Sequence, residues 1–182
     1  MVKEQQRGVL DVQIGAMRRR HIPAVLRIEA KVYPRPWSAG LFLSELAQRS
    51  SRAYLVARYK GKVVGYAGLM LLGDEAHVTN IAVDPEHHRN RIGTRLMLAL
   101  IEEARAREAR SVTLEVRRGN HGAQTMYRSF GFETVGLRRG YYVETGEDAF
   151  IMLAEGIWAH DYARRLDEIR AGVEALGIQE DE

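Results

Sequence analysis

The sequence contains no cysteine. It therefore has no disulfide framework, no cysteine-ligated zinc or iron–sulfur site and no thiolate nucleophile. Proline is scarce, with 4 residues in a chain of 182. No apolar run approaches the roughly 18 residues that a membrane-spanning helix needs. These absences exclude a small disulfide-rich protein, and they lead us to expect a cytoplasmic protein without membrane contact.

Apolar and charged residues are present in ordinary amounts, with 46% hydrophobic and 28% charged. This composition is typical of globular proteins, and the length corresponds to one domain with some excess. The pattern divides the chain into a flexible leader at residues 1–8, a body at 9–155, and a C-terminal amphipathic helix with an acidic tail at 156–182. The net charge of +3 is mild. We therefore expect no direct nucleic-acid contact, for which only Arg18, Arg19 and Arg20 would argue.

Hydrophobic periodicity predicts strands mixed with helices in the order βααβββαβαββ. Strands are predicted at residues 9–17, 54–59, 63–72, 76–83, 111–117, 132–138 and 149–154. Helices are predicted at residues 23–33, 39–48, 93–107 and 122–130. A last helix is predicted from about residue 158, with a stripe of Trp158, Tyr162, Leu166, Ile169, Val173 and Leu176, and Gly177 as its C-cap. The order predicts a layered α/β (α+β) domain, with the last helix packed on the body or on a partner chain.

The stretch at residues 80–96 combines a strand, a basic loop, a glycine and the start of a helix. A helix N-terminus has unpaired N–H groups and a positive dipole end, so it binds anions. Gly93 lets the backbone approach a phosphate closely, and Arg89, Arg91 and Arg95 add positive charge. The alternative is an ordinary strand–helix connection with a solvated basic face.

This stretch resembles the acyl-CoA pyrophosphate loop of the GNAT family of N-acetyltransferases, written Q/R-x-x-G-x-G/A. His88 stands at the Q/R position, Arg91 at the first glycine and Gly93 at the second. The resemblance covers about residues 12–154 and is closest to the bacterial ribosomal-protein alanine N-acetyltransferases. The matching pieces are Asn80 to Pro85, Pro36-Trp37-Ser38, Leu114 to Arg117, Asn120, Met126-Tyr127, Gly131-Phe132, Arg138 to Tyr142 and Glu147-Asp148-Ala149.

The resemblance implies the GNAT fold, a central mixed twisted sheet of about seven strands flanked by helices. It also implies acetyl-CoA as co-substrate without a metal, and direct attack of an amine on the thioester. The implied catalytic residues are Glu115 as base and Tyr127 as acid. The implied cofactor-binding residues are Ile81, Ala82, Val83, Arg89, Asn90, Arg91, Ile92, Gly93, Thr94 and Asn120. The implied substrate-binding residues are Tyr33, Trp37, Tyr141 and Tyr142.

The residue patterns by themselves leave alternatives for these roles. Strand alternation places Glu115 opposite the apolar face of its strand, where it could instead form an ion pair with Arg117 or another cation. Tyr127 lies on an apolar helical stripe and could be a packing residue. If Arg91 needs a positive φ, arginine costs about 1 kcal/mol relative to glycine there, and a contact with a CoA phosphate would compensate.

The acceptor implied by the resemblance is a protein N-terminus, that of an alanine in a small-subunit ribosomal protein. Chemistry agrees, because an α-amine with a pKa near 8 is about one-tenth neutral at pH 7, whereas lysine is neutral in only about 1 molecule in 2,500. Two alternatives remain: an acetyltransferase of lysine side chains or small amines, and a non-catalytic acyl-CoA-binding module. The sequence also leaves a homodimer open.

Overall fold

A computed structural model describes residues 10–175, which form a seven-stranded sheet flanked by five α-helices. The strands are β1 (Val12–Ala16), β2 (Arg52–Tyr59), β3 (Lys62–Leu72), β4 (Glu75–Val83), β5 (Ser111–Arg117), β6 (Glu133–Tyr142) and β7 (Glu147–Glu155). The helices are α1 (Ile22–Val32), α2 (Ala39–Ala47), α3 (Ile92–Ala106), α4 (His121–Ser129) and α5 (His160–Glu174). Short 3-10 helices occupy Arg19–His21 and Pro85–His87. The predicted order and the mixed sheet are confirmed.

The strands are ordered β1-β2-β3-β4-β5-β7-β6, and only β4 and β5 are parallel neighbours. Their pairing is short: it joins Glu75 with Ser111, Ala76 with Val112, and His77 with Thr113. Beyond His77 and Thr113 the two strands are no longer paired, although β4 continues to Val83 and β5 to Arg117. The sheet is therefore open between β4 and β5 at its centre.

Each face of the sheet carries its own hydrophobic layer. On one face, α3 buries its predicted stripe of Leu96, Leu100 and Ala104, each 0% exposed. On the other face, α1 and α2 bury a separate cluster that includes Ile28 and Phe42. The strands serve both layers because successive side chains point to opposite faces. This three-layer arrangement holds the edges of the central opening in place.

Local signals set most element ends within a residue or two. The Ser38 hydroxyl accepts a hydrogen bond from the Leu41 N–H at 3.2 Å, so the predicted N-cap of α2 is confirmed. Helix α1 begins at Ile22, one residue before the predicted Pro23. The first strand begins at Val12 rather than residue 9, because Val12 is the first residue in register with β2. The predicted leader at 1–8 and the acidic tail lie outside the described residues.

Two predicted boundaries near the C-terminal end of the body were wrong. Strand β6 runs to Tyr142 instead of ending at residue 138. Its register with β7 shifts between Arg138 and Tyr142, where Gly140 has a φ of +58°, and this irregularity hides the strand pattern. Trp158 does not belong to the stripe of α5, since it precedes that helix and is 54% exposed. Its indole N–H donates to the Ala109 carbonyl at 2.8 Å.

Helix α5 packs on the body of the chain. Tyr162 and Leu166 are buried in the same cluster as α3, and Ile169 packs against it. The Arg170 guanidinium pairs with Glu102 on α3. Of the two placements that the sequence left open for this helix, the structure therefore shows the one on the body. No helix within residues 10–175 is long and apolar enough to cross a membrane.

Candidate active site

Two clefts meet where β4 and β5 separate. The first, which we name the aromatic cleft, has a volume of about 330 Å³ and is walled by the α1–α2 loop, β4, β5 and the end of β6. The second, the α3 cleft, has a volume of about 750 Å³ and is walled by the end of β4, the loop after it, and the starts of α3 and α4. Ile81, Asn120 and Tyr127 line both clefts. These three residues mark the junction.

The α3 cleft ends at the N-terminus of a 15-residue helix. The N–H groups of Ile92, Gly93 and Thr94 have no acceptor within the helix, since the Arg95 N–H is the first to find one, the Arg91 carbonyl. Gly93 has no positive φ, and the nearest atom that a Cβ there would meet is the Met126 sulfur at 3.4 Å. Packing does not require a glycine at this position. The absence of a side chain leaves the backbone of residue 93 accessible from the α3 cleft.

Arg91 has left-handed backbone geometry, with φ +56° and ψ +16°. The positive φ considered from the sequence is therefore present, at a position where glycine is favoured. Arg89, two residues earlier, also has a positive φ of +67°. Both side chains are exposed and line the α3 cleft, whereas Arg95 is half-buried and does not.

Asn90 does not line the cleft, and it is 7% exposed. Its side-chain amide donates to the His87 carbonyl at 3.0 Å and to the His88 carbonyl at 3.1 Å. The side-chain amide therefore stabilises the loop, and the predicted cofactor contact of Asn90 stays a prediction. His88 also stabilises the loop, because its Nε2 lies 3.1 Å from the Val83 carbonyl oxygen. The loop shape is thus fixed by its own side chains.

The α1–α2 loop places Tyr33 and Trp37 in the aromatic cleft. The Tyr33 hydroxyl donates to the Ile81 carbonyl at 3.1 Å, which ties the loop to β4 at the junction. The Trp37 backbone N–H donates to Glu29 Oε2 at 2.7 Å. Tyr33 is therefore attached to β4 through its hydroxyl, and Trp37 is attached to α1 through its backbone N–H.

Glu29 is a site residue that the sequence reasoning missed. It lines the aromatic cleft, is 1% exposed, and its Oε1 has no hydrogen-bond partner among the described residues. Burial raises the pKa of the Glu29 carboxyl, and the hydrogen bond from Trp37 opposes that rise. The signal was present in the sequence: Glu29 follows Val25 by four residues, so an acidic residue lies on the apolar face of α1.

Glu115 points into the aromatic cleft from β5, with a side chain 10% exposed. Its Oε2 lies 3.0 Å from His77 Nε2, and its Oε1 lies 3.4 Å from Arg138 Nη2. Of the ion pairs that the sequence offered as an alternative, the one with Arg117 is not formed, whereas one with another cation, Arg138, is. Arg117 instead pairs with Glu144 and Glu147, because their turn lies beside it. His77 was also missed, since only the β4–β5 register brings it to Glu115.

Tyr127 lies on α4 at the junction and is 5% exposed. Its ring packs against Phe132, with ring centroids 5.9 Å apart. Burial raises the pKa of the Tyr127 phenol well above its usual range, and Tyr33 and Tyr142 raise it further. The phenol therefore stays protonated at physiological pH and is available as a hydrogen-bond donor.

Asn120 lies at the junction, and Tyr141 and Tyr142 of β6 lie in the aromatic cleft. The Asn120 side chain accepts a hydrogen bond from the Ala123 N–H at 3.1 Å and so caps α4. The Arg117 guanidinium stacks on the Tyr142 ring at 3.7 Å, and the Tyr141 ring meets Tyr142 edge-on. Burial raises the pKa of Tyr142 to about 12. Protonated phenols and cations thus surround the carboxylate of Glu115.

Comparison with known proteins identifies the fold and the chemistry. Residues 22–132 match the model of the Acetyltransferase (GNAT) family. The chain belongs to the GNAT family. It is 39% identical over 136 residues to the putative ribosomal protein bS18-alanine N-acetyltransferase of Bacillus subtilis, covering 75% of this chain and 90% of that protein. It is 41% identical over 147 residues to the N-alpha-acetyltransferase RimI of Mycobacterium tuberculosis, covering 78% and 90%.

A solved GNAT structure agrees with this assignment. The crystal structure of the ribosomal-protein-S18-alanine N-acetyltransferase from Escherichia coli superimposes with a TM-score of 0.73 at 33% identity, over 80% of this chain and 94% of that one. The predicted family and the predicted GNAT fold are confirmed, and the chain is an acetyl-CoA-dependent N-acetyltransferase.

The GNAT fold brings together most of the residues that the sequence singled out. The aromatic cleft receives Tyr33, Trp37, Glu115, Tyr141 and Tyr142, and the α3 cleft receives Ala82, Val83, Arg89, Arg91, Ile92, Gly93 and Thr94. Ile81, Asn120 and Tyr127 belong to both. Within residues 10–175, no group of three or more His, Cys, Asp or Glu side chains is placed to hold a metal ion.

Proposed function

We propose that this enzyme transfers the acetyl group of acetyl-CoA to the α-amine of an N-terminal alanine, that of a small-subunit ribosomal protein of the bS18 type. The observation that carries the proposal is the junction of the two clefts, with Tyr127 in both and Glu115 in the aromatic cleft. The acceptor is supported by the names of the relatives from B. subtilis and E. coli, at 39% and 36% identity. The reaction needs no covalent enzyme intermediate.

Acetyl-CoA is proposed to bind in the α3 cleft. The free N–H groups of Ile92, Gly93 and Thr94 would hold the pyrophosphate, because a helix N-terminus stabilises anionic groups. The exposed Arg89 and Arg91 add positive charge at that end. The backbone of Ile81, Ala82 and Val83, which β5 does not pair, would hold the pantetheine arm and direct the thioester to the junction.

Two substitutions of Arg91 separate the free-energy cost of its positive φ from the contribution of its charge to acetyl-CoA binding. We expect Arg91→Gly and Arg91→Ala each to raise the acetyl-CoA KM several-fold, since each removes a cation from the phosphate end. Arg91→Gly should also be more stable than Arg91→Ala by about 1 kcal/mol, because only glycine adopts positive φ without cost. Thermal unfolding and steady-state kinetics measure both effects. A lower KM in both variants would contradict a phosphate contact.

The acceptor is proposed to enter through the aromatic cleft between the α1–α2 loop and Tyr141-Tyr142. Glu115 takes a proton from the ammonium, directly or through a water molecule, so that the amine can attack the thioester carbonyl. An α-amine asks little of this base, because roughly one-tenth of it is already neutral at pH 7. Trp37 and Tyr33 offer rigid aromatic area for the first side chain.

Tyr127 is proposed to assist the departing CoA sulfur. A phenol, whose ordinary pKa is about 10, is already a weaker acid than a free thiol, whose pKa is about 8.5, and burial of Tyr127 widens the difference. Complete proton transfer to the thiolate is therefore uphill, and the phenol helps mainly as a hydrogen-bond donor to the charge that develops on sulfur. This refines the role of acid that the family resemblance implies.

Turnover of acetyl-CoA against short peptides that differ only in their first residue tests the proposed function. We expect the highest kcat/KM for an N-terminal alanine in the context of the bS18 sequence. A peptide with a blocked α-amine and a free internal lysine is the matched control and should show no turnover. Equal turnover of the blocked peptide, or of a small amine alone, would contradict the proposal in favour of another acceptor class.

A further inference from the structure

A line of polar contacts runs from Glu115 to the beginning of β4. Glu115 Oε2 lies 3.0 Å from His77 Nε2. The other ring nitrogen, His77 Nδ1, lies 3.0 Å from Thr113 Oγ1. The Thr113 hydroxyl in turn donates to Glu75 Oε1 at 3.1 Å. The parallel pairing of β4 and β5 brings these groups together, because His77 is paired with Thr113. The three residues behind Glu115 thus form a connected set that the proposed mechanism does not yet use.

The chemistry of these groups fixes the direction of each hydrogen bond. An ionised carboxylate only accepts, so the single hydrogen of the Thr113 hydroxyl is given to Glu75. Thr113 Oγ1 can then only accept from His77, which requires a hydrogen on Nδ1. With Nδ1 protonated, Nε2 faces Glu115 Oε2 at 3.0 Å, a distance at which two bare lone pairs repel. His77 Nε2 must therefore carry a second hydrogen, which it donates to Oε2.

We propose that Glu75, Thr113 and His77 are positioning residues for Glu115: they place a hydrogen on His77 Nδ1, and a second hydrogen, carried by His77 Nε2, is donated to Glu115 Oε2. For its catalytic consequence this inference rests on the proposed function. Because Oε2 is committed to His77, Oε1 is the oxygen left to receive the proton from the acceptor ammonium. Glu75, Thr113 and His77 therefore determine which oxygen of the Glu115 carboxylate serves as the base.

The neighbours of the pair are compatible with this arrangement. Arg138 on β6 lies 3.4 Å from Oε1 with a side chain 54% exposed, so it can leave that oxygen when the acceptor binds. Tyr141 and Tyr142 on β6 carry the other titratable groups near Glu115, and Arg117 on β5 is held by Glu144 and Glu147. Glu29 on α1 and Tyr127 on α4 also line the cleft. None of them replaces Thr113 as the partner of Nδ1.

Nitrogen NMR of the histidine ring tests the proton placement without substrate. In protein labelled with ¹⁵N-histidine at neutral pH, we expect His77 to show a protonated Nδ1, with its signals assigned by their loss in His77→Gln. Thr113→Val keeps the shape but removes the hydroxyl that accepts from Nδ1, and we expect the signal of the protonated Nδ1 to disappear. Thr113→Ser restores the hydroxyl and should restore the signal. A wild-type His77 protonated only on Nε2 would overturn the proposal, whether or not the variants fold.

Kinetics of the same variants test the catalytic consequence. We expect Thr113→Val to lower kcat about tenfold, equivalent to roughly 1.4 kcal/mol, with an unchanged acetyl-CoA KM. We expect Thr113→Ser to recover most of that loss. A kcat for Thr113→Val within about twofold of wild type would overturn the positioning role. If wild type acetylates no alanine peptide, the proposed function fails, whereas the NMR result still decides the proton placement.

Discussion

Glu115→Gln is expected to lower kcat for an alanine peptide by about 100- to 1,000-fold, the lower part of the range typical for a general base. Glutamine keeps the shape of the side chain and an acceptor oxygen, but it cannot take a proton from the ammonium. The acetyl-CoA KM should stay near the wild-type value, since Glu115 lines the aromatic cleft and not the α3 cleft. Steady-state kinetics with both substrates varied measures the two effects separately.

The control for this prediction is Glu103→Gln. Glu103 is a carboxylate on α3 that pairs with Arg107, away from both clefts of the site. It should leave kcat unchanged, so a loss confined to Glu115→Gln is assigned to the base. Acetyl-CoA binding by calorimetry shows whether the variant is folded. A folded Glu115→Gln enzyme with near-normal kcat would contradict the assignment of Glu115.

Tyr127→Phe is expected to lower kcat by about 10- to 100-fold, because a hydrogen bond to a charged group contributes roughly 1.5–3 kcal/mol. The ring remains, so its packing against Phe132 is kept and the fold should be unaffected. The lost hydroxyl acts only when charge develops on the CoA sulfur. The loss should therefore appear in kcat and not in the KM of either substrate.

Tyr162→Phe provides the matched control for Tyr127→Phe. Tyr162 on α5 is also a buried phenol, 6% exposed, and its hydroxyl has no hydrogen-bond partner among the described residues. Removing that hydroxyl should leave kcat unchanged and should not destabilise the fold. Equal kinetic losses in the two variants would point to a general packing effect and would contradict the role of Tyr127 at the thioester.

The fold could be predicted well where one local pattern controls it. The α3 stripe is fully buried as its spacing indicates, and Ser38 caps α2. Prediction failed where tertiary contacts decide the outcome. Strand β6 continues through the irregularity at Gly140, and Trp158 is held by a hydrogen bond to Ala109 and a cation–π contact with Arg105, outside the helix it was assigned to.

The candidate site shows the same division. Strand alternation alone indicated that Glu115 leaves the apolar face, and the structure places it in the aromatic cleft. Its contact with His77 could not be predicted, because it depends on the register of two strands separated by α3. The side-chain amide of Asn90 donates to neighbouring carbonyls, a loop contact that the sequence did not indicate, and the expected place of Asn90 in the cofactor site stays a prediction. Sequence indicates which residue types are present, whereas register and loop folding decide which of them meet.

The position of the transferred acetyl group decides between an N-terminal α-amine and a lysine side chain as the acceptor. A peptide that begins with alanine and contains an internal lysine offers both amines to the enzyme in one molecule. Tandem mass spectrometry after incubation with acetyl-CoA locates the added group. We expect acetate on the alanine α-amine alone, formed by wild type and greatly reduced with Glu115→Gln. Acetate on the lysine ε-amine, or equal transfer by both proteins, would contradict this expectation.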